Sequence, residues 1–256
     1  MKYFIISIFI ITSKGLSQNT QNNIHVKLKD LYPDSTVSVK HQKDWQKNFY
    51  ITTVSEFKKS PIGFNKIVFL GNSITKGGGD WNKRFGVYNI VNRGISGDIT
   101  EGILKRLDEI IYYKPKAIFL LIGINDIFNN QPNKKNIQSS DVAMNIIKIA
   151  KNIYNSCSNT TIFIQTILPV DIQKHKDYYN RSLSGYNSGM VNQINAINQF
   201  IKQQNDFPVI DLYSEFVDKR GLMNKAYTTD GVHLNDTGYQ VWIEYIRSYV
   251  QLFEDS

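Results

Sequence analysis

The sequence predicts an α/β protein, a three-layer αβα sandwich on a five-stranded parallel sheet. The first observation is a set of short apolar runs rich in Ile, Val and Phe, which strands buried on both faces of a parallel sheet require. The second is that a stretch of helical length follows most of these runs. The predicted strands are Lys66–Leu70, Val87–Val91, Ala117–Ile122, Thr161–Leu168 and Pro208–Leu212.

The stretches between the runs have the length and apolar spacing of helices that cover a sheet. Ligands bind such sheets beyond the carboxyl ends of the strands, so functional residues are expected in the loops at that edge. The predicted helices are Ile99–Tyr113, Ser139–Tyr154, Gly189–Gln204 and Asp236–Phe253.

Composition is that of a globular protein, with 41% hydrophobic and 20% charged residues among 256. The formal net charge is +8, but the lysines are scattered and form no block with interleaved aromatics, so no nucleic-acid partner is predicted. The single cysteine, Cys157, can form neither an internal disulfide nor a Cys-rich metal site. It is predicted to be a partly buried structural thiol.

The N-terminus has the pattern of an export signal. Lys2 precedes the apolar stretch Tyr3–Ile11, and Gly15 and Ser17 supply small residues before a cleavage site. The apolar stretch is short for a bilayer-spanning helix, although an uncleaved anchor is the alternative. Residues 1–17 are therefore predicted to be a signal peptide, with the protein exported to a periplasm or beyond and not stably inserted in a membrane after cleavage.

Residues 18–60 are interpreted as an N-terminal extension and residues 61–256 as the main domain. The extension begins with polar residues and continues into an amphipathic helical pattern that Pro61 and Gly63 end. Its aromatic residues are expected to pack on the main domain. They are Trp45, Phe49, Tyr50 and Phe57.

Ser73 follows Gly71 and Asn72 directly after the first predicted strand. Such a turn would project the hydroxyl from the sheet edge, as a nucleophile or as a helix cap. A serine nucleophile needs a histidine base oriented by a carboxylate. Among the four histidines, only His233 lies in a predicted strand-end loop, with Asp230 three residues before it.

This spacing allows the Asp230 carboxylate to accept the Nδ1 proton of His233, which leaves Nε2 facing Ser73. Each residue also has an ordinary structural interpretation: Asp-Gly forms turns, and single loop histidines are often surface residues. The prediction of a catalytic triad depends on the joint placement of all three residues at one edge of the sheet.

Acyl transfer also requires hydrogen-bond donors for the oxyanion. Asn125 ends the third apolar strand, where an amide is an odd choice for packing, and Gly97 offers a backbone N–H without a Cβ. With the Ser73 N–H these are the predicted donors, although Gly97 also suits a simple turn. Ser96 is a rival nucleophile without a matching base.

The sequence contains no motif that is typical of another catalytic or nucleotide-binding chemistry. G-x-S-x-G, G-x-x-x-x-G-K, G-x-G-x-x-G and H-E-x-x-H are all absent from the sequence. Histidines and carboxylates do not cluster along the chain as metal ligands do. No metal and no cofactor are therefore predicted.

Four segments in order resemble the blocks of the SGNH hydrolases, also called GDSL-type lipases and esterases. They are "FLGNSIT", "NRGISGD", "LIGINDI" and "DGVHLN", and the resemblance covers residues 65–250. It implies a flavodoxin-like sheet of strand order 2-1-3-4-5 and metal-free hydrolysis. It also implies the catalytic residues Ser73, His233 and Asp230, and an oxyanion hole of Ser73, Gly97 and Asn125.

Asn72 is a departure from the family pattern, which has aspartate beside the nucleophile. Both residues can cap the turn, so hydrolysis is expected to survive the change. Because it adjoins Ser73, Asn72 is also predicted to contact the substrate.

Within the family, the residues of these segments are similar to those of exported bacterial members. These members are grouped with platelet-activating-factor acetylhydrolase-like proteins and with sialate or carbohydrate O-acetylesterases. That likeness implies short acyl esters, acetyl groups on sugars in particular, as small-molecule or glycan substrates. Aromatics in polar loops suit sugar rings as well as loop packing, and Trp81 is predicted to contact the substrate. The other loop aromatics are Tyr178, Tyr179 and Tyr186.

Two alternatives remain open from the sequence. The first is a lysophospholipase- or thioesterase-type enzyme for lipid esters, and the second is a non-catalytic glycan-binding module on the same fold. The intact Ser, Gly, Asn, Asp and His set argues against the second. The oligomeric state is not predicted.

Overall fold

A computed structural model describes residues 28–129, 137–180 and 189–254. The predicted signal peptide at 1–17, the start of the extension and Tyr186 lie outside these ranges. Within them, no helix is both long and apolar enough to cross a membrane.

Five parallel strands form one sheet of order β2-β1-β3-β4-β5, which confirms the predicted fold and strand order. The second strand begins later than predicted because Val87 N–H donates to Asn82 O in the turn that ends the preceding helix. The strands are β1 (Ile67–Gly71), β2 (Ile90–Gly94), β3 (Ala117–Leu121), β4 (Thr161–Gln165) and β5 (Val209–Ile210).

The core lies on both faces of this sheet. Every residue of β1 and of β3 is buried, as expected for strands covered on both sides. Phe69, Phe119 and Phe163 form a row across β1, β3 and β4, with ring centroids 5.0 and 4.9 Å apart. This row fixes the relative position of the three central strands, whose carboxyl ends carry the site.

Eleven α-helices are present in the described residues. They are α1 (Asp44–Lys59), α2 (Ser73–Gly77), α3 (Trp81–Phe85), α4 (Thr100–Leu104), α5 (Asp108–Tyr113), α6 (Ile124–Asn129), α7 (Ser139–Ser156), α8 (Ile172–Tyr179), α9 (Met190–Gln203), α10 (Leu212–Phe216) and α11 (Asp236–Gln251).

The predicted helix Ile99–Tyr113 is two helices, α4 and α5, separated by a turn. Arg106 lies in that turn, and its guanidinium binds the Asp98 carboxylate at 2.9 Å and the Gly71 carbonyl at 3.2 Å. The helical pattern is therefore interrupted where a buried arginine is directed toward the end of β1.

Helix α8 was not predicted, because the segment is polar and lacks a long apolar stripe. It begins after Asp171, whose side chain accepts a hydrogen bond from Lys174 N–H at 3.0 Å. It ends at Asn180, which adopts a left-handed conformation at φ +48°. The two caps define a short helix that hydrophobic periodicity does not detect.

Helix α1 occupies the segment that was predicted to be the amphipathic helix of the extension. Tyr50 is buried and donates to Gly102 O at 2.9 Å, and the Phe57 ring lies 4.4 Å from the Arg93 guanidinium carbon. Trp45 also meets the domain, at Gly97, but Trp45 and Phe49 are each 50% exposed, so the expected packing of the helix aromatics is only partial for these two.

Cys157 follows α7 and is buried, as predicted. Its thiol lies 3.4 Å from Ile111 O, and burial raises its pKa, which keeps the group a neutral thiol.

Candidate active site

Ser73 is the first residue of α2, immediately beyond the end of β1. The turn between them needs Gly71, because a Cβ there would clash with the Leu121 carbonyl oxygen and the Thr75 hydroxyl. The close approach of β1 to its neighbour strand thus determines where the serine emerges from the sheet.

Asn72 is the cap of α2 and is buried, which argues against the predicted contact with substrate. Its side chain is 1% exposed, and its Oδ1 accepts a hydrogen bond from Ile74 N–H at 3.0 Å. Asn and Asp both accept this bond, so the position tolerates the departure from the family pattern.

The model brings Ser73, His233 and Asp230 into one hydrogen-bonded series. Ser73 Oγ lies 3.0 Å from His233 Nε2, and His233 Nδ1 lies 2.7 Å from Asp230 Oδ2. The His233 side chain is 39% exposed and that of Asp230 is 2% exposed. Thus the carboxylate is inside the protein, while the imidazole reaches the surface where a substrate would enter.

The loop before α11 is shaped around this carboxylate. Asp230 Oδ1 accepts backbone N–H groups from Val232 at 2.9 Å and from His233 at 2.7 Å. Gly231, between Asp230 and Val232, has φ +90°, and a Cβ there would clash with the Asp171 carbonyl oxygen at the start of α8. The Asp-Gly pair is therefore both a turn and the support of the histidine.

The carboxyl group of Asp230 is held in its ionised form. Burial acts to raise its pKa, but interactions with His175 and His233 and the His233 backbone N–H outweigh burial and leave the pKa well below its ordinary value. An ionised Asp230 stabilises the imidazolium that forms when His233 accepts a proton.

Helix α8 supplies two further groups to Asp230 that sequence reasoning missed. Tyr179 Oη donates to Asp230 Oδ2 at 3.0 Å, and His175 Nδ1 lies 3.6 Å from the same oxygen. His175 and Tyr179 are four residues apart, as on one helix face, and follow a predicted strand end. That spacing is the available signal in the sequence, although the polar composition of the segment predicts a loop.

Of the predicted oxyanion donors, Asn125 lies in the first turn of α6 and Gly97 lies in the loop after β2. The Asn125 amide nitrogen donates to Asp98 O at 2.9 Å, which orients the side chain and leaves its second N–H for another acceptor. Gly97 adopts φ +78° in the loop after β2. This loop adjoins the end of β1, since Ile95 N–H donates to Gly71 O at 3.1 Å.

Ser96 belongs to this same loop. Among the described residues, no histidine forms a hydrogen bond with its hydroxyl, whereas Ser73 has His233. Geometry therefore favours Ser73 over its rival.

Trp81 is a core residue, so its predicted contact with substrate is wrong. It is 1% exposed, stacks on Phe69 at 4.5 Å between centroids and meets Trp242 edge-on at 5.0 Å. Its indole N–H donates to Thr75 O at 3.2 Å. The loop that precedes it is polar, but the ring itself fills the space between α2 and the sheet.

Within the described ranges, no three His, Cys, Asp or Glu side chains are grouped as metal ligands. The residues that approach Ser73 are a base, a carboxylate and hydrogen-bond donors. Such groups serve proton transfer and oxyanion stabilisation.

A serine, a histidine and a carboxylate in series at the carboxyl edge of a parallel αβα sheet form the arrangement of a serine hydrolase. A family model agrees: the GDSL-like lipase/acylhydrolase family matches residues 69–241, more than half of the chain. The chain belongs to this family.

Individual relatives are distant. The chain is 27% identical over 164 residues to an N-acylneuraminate cytidylyltransferase of Escherichia coli O18:K1:H7, a match that covers 62% of this chain and 34% of that protein. The chain thus spans about a third of the length of this curated relative.

Solved structures share the fold over most of their length. One, from Streptococcus pneumonia and provisionally described as a platelet activating factor, has 27% identity, a TM-score of 0.61 and coverage of 82% of this chain and 93% of its own. A GDSL-like lipase from Bacteroides thetaiotaomicron has 22% identity, a TM-score of 0.63 and coverage of 79% and 97%.

Proposed function

We propose that the protein is a serine esterase that removes short acyl groups, acetyl in particular, from carbohydrate hydroxyls. The observation that carries this proposal is the series from Ser73 Oγ through His233 to Asp230, with separations of 3.0 and 2.7 Å. Such a series activates a serine for attack on a carbonyl carbon.

In the first half-reaction, His233 Nε2 takes the Ser73 hydroxyl proton as Oγ attacks the ester carbonyl carbon. Negative charge then develops on the carbonyl oxygen, which the Ser73 and Gly97 N–H groups and the free Asn125 amide N–H stabilise. When the intermediate collapses, the bond to the alcohol breaks and His233 gives its proton to that alcohol. Ser73 is left acylated.

In the second half-reaction, His233 takes a proton from water, and the hydroxide formed attacks the acyl carbon. Collapse of this intermediate returns the proton to Ser73 Oγ and releases the carboxylic acid. Asp230 keeps its negative charge throughout and stabilises the imidazolium in both halves.

Support for a sugar ester comes from the sequence and from the curated relative. The segments 77–86 and 171–180, which include α3 and α8, are largely polar, unlike the apolar lid of a long-chain lipase. The relative is named for N-acylneuraminate, an acylated sugar acid. Both favour a hydrophilic alcohol over a lipid.

The nucleophile is tested with p-nitrophenyl acetate. Ser73→Ala is expected to lower kcat by about a thousandfold or more, because the oxyanion donors alone cannot replace the nucleophile. Ser96→Ala, a serine in the neighbouring loop, is the matched control and is expected to keep activity. Equal turnover by Ser73→Ala and wild type would remove Ser73 from the reaction, and an inactive wild type would favour the binding-module alternative.

Acyl preference is tested by a series of p-nitrophenyl esters from acetate through butyrate to octanoate. A short-acyl esterase gives kcat/KM values that fall with chain length, because longer chains must find room beyond the oxyanion hole. Values that rise along the series would instead support the lipid-ester alternative.

A further inference from the structure

Helix α1 precedes the region that the family model matches, yet it carries exposed aromatic side chains to the site. Trp45 and Phe49 are each 50% exposed, and their rings meet edge to face at 6.2 Å between centroids. Large aromatic side chains at a surface are usual where a ligand or partner covers them.

The Trp45 ring lies against the loop of the oxyanion hole. A Cβ on Gly97 would lie 2.7 Å from Trp45 Cζ3 and 3.0 Å from Gln46 Cγ. Together with its φ of +78°, this contact restricts position 97 to glycine. The indole therefore lies beside the backbone proposed to bind the oxyanion, with half of its surface open.

The buried face of α1 holds Trp45 in this position. Gln46 is 1% exposed, and its Oε1 accepts hydrogen bonds from Lys43 N–H at 2.7 Å and from the Asn129 amide at 2.8 Å. One turn further, Tyr50 is bound to Gly102 O. The exposed ring is thus preorganised, which lowers the entropic cost of binding a ligand.

The surroundings favour a sugar ring as the occupant. A pyranose presents an apolar C–H face that packs on an indole, and hydroxyl groups at its rim that need polar partners. Polar groups bind at the same end of α1: the Asn129 amide donates to Gln46 Oε1 and to His41 O at 3.0 Å, and Lys43 Nζ donates to Phe128 O at 3.4 Å. A membrane-docking helix would instead show a broad apolar face, but α1 exposes two rings among polar residues.

We propose that Trp45 forms the subsite for the sugar ring that carries the ester, so that the N-terminal extension completes the active site. The acyl group then lies at Ser73 and the alcohol half of the ester packs on the indole. This inference rests on the proposed function, since it assigns the leaving alcohol of that reaction.

The test compares kcat/KM for glucose pentaacetate with kcat/KM for ethyl acetate, whose alcohol is too small to reach the indole. Trp45→Ala is expected to lower the ratio of the two constants about tenfold, chiefly through KM for the sugar ester. Trp45→Phe, which keeps an aromatic face, is expected to recover most of the ratio. Phe64→Ala is the control, since Phe64 is 60% exposed and precedes β1 at the opposite edge of the sheet.

Three results would overturn the inference. The first is an unchanged ratio in Trp45→Ala. The second is an equal loss of kcat/KM on both substrates, which would mean that the ring only supports Gly97. The third is a loss of activity in Trp45→Ala that is selective for long-chain esters in phosphatidylcholine vesicles. Ser73→Ala separates this failure from that of the proposed function. If Ser73→Ala is inactive while the Trp45 ratio is unchanged, the esterase stands and only the sugar subsite is lost.

Discussion

Two carboxylates lie buried behind the candidate oxyanion hole. Burial raises the pKa of Asp98 to about 6, although Arg106 opposes the shift, and burial raises the pKa of Asp126 to about 7, although hydrogen bonds from Thr100 oppose it. Asp126 adjoins Asn125 in the sequence and accepts the Thr100 hydroxyl at 2.6 Å. Asp98 is bonded to Arg106 and Asp126 to Thr100, so we assign the two carboxylates to the support of Asn125 in α6 and of the loop of Gly97.

The raised pKa of Asp126 makes stability depend on pH. Between the ordinary value of 3.8 and about 7, the folded protein keeps a proton that the unfolded chain has lost, so the free energy of unfolding falls as pH rises through this window. Asp126→Asn has no such proton. We expect this variant to gain stability relative to wild type between about pH 4 and about pH 8 in urea unfolding.

The prediction would be contradicted if the difference in stability between Asp126→Asn and wild type were the same at about pH 4 and at about pH 8. This result would mean that Asp126 is ionised in the folded protein over the whole range. The kcat of Asp126→Asn is a separate check. Because residue 126 adjoins Asn125, the substitution is expected to lower kcat while the protein stays folded.

The roles of single residues could be predicted from the sequence where a reaction requires particular residue types. They could not be predicted where tertiary packing determines the position of the side chain. Ser73, His233 and Asp230 were found by type, spacing and strand ends, and the model joins them. Trp81 was misplaced because a polar loop precedes a ring that points inward. Local sequence does not specify the direction in which an aromatic side chain points. For Trp81 that direction is set by the space available between α2 and the sheet.

Helix α8 acts on the triad through Asp230 rather than through the substrate. The Tyr179 hydroxyl bond at 3.0 Å shares Oδ2 with His233, and so it helps to fix the carboxylate that orients the imidazole. Its contribution is that of a hydrogen bond to a charged group. Tyr179 is a positioning residue in this account.

Tyr179→Phe is expected to lower kcat about threefold to tenfold on p-nitrophenyl acetate, with little change in KM, since the ring is kept and only the hydroxyl is lost. The acid limb of the kcat–pH profile is expected to move as well, because the environment of the Asp230–His233 pair changes. Tyr178→Phe is the matched control, a neighbouring tyrosine that is 58% exposed. Equal kcat values and pH profiles for the two variants would contradict the role of Tyr179.

Helices with long apolar stripes were predictable, and those fixed by caps or by tertiary contacts were not. α7 and α9 match their predicted ranges closely because each has a regular buried face. α8 escaped detection because it depends on the Asp171 cap and on contacts with the loop of Asp230. The break between α4 and α5 follows from Arg106, which binds groups distant in sequence.

One buried carboxylate of α5 adds to the contacts that join the extension to the domain. Glu109 binds the Arg93 guanidinium at 2.8 Å and accepts hydrogen bonds from Tyr32 Oη at 2.7 Å and Ile62 N–H at 2.9 Å. These partners belong to β2, to the start of the described extension and to the segment before β1. A single side chain therefore joins three parts of the chain.

Glu109→Ala is expected to destabilise the protein by about 3–5 kcal/mol, because the Arg93 charge would remain buried without its partner. The measurement is urea unfolding at constant m-value. Lys151→Ala is the control, since the Lys151–Asp206 pair is about half exposed and is expected to contribute less than about 1 kcal/mol. Similar losses in the two variants would show that Glu109 does not have the proposed structural role.

The architecture as a whole follows from the sequence, because five buried strands alternating with helices permit few arrangements. The strand order came from the family resemblance, not from the periodicity. The placement of α1 beside Gly97 could not be predicted, since an amphipathic helix does not specify which part of a sheet edge it covers. That placement is what makes the extension relevant to the site.

The central claim, that Ser73 is the acylated nucleophile, is tested most directly by acid-quenching the protein during turnover of p-nitrophenyl acetate and mapping the acetyl group by mass spectrometry. Trypsin separates the two candidates, since Ser73 lies in the peptide 67–76 and Ser96 in the peptide 94–105. The account predicts one acetyl group on the peptide of Ser73, and none there in Ser73→Ala. Acetyl on the peptide of Ser96, or full turnover with no acetyl on the peptide of Ser73, would contradict it.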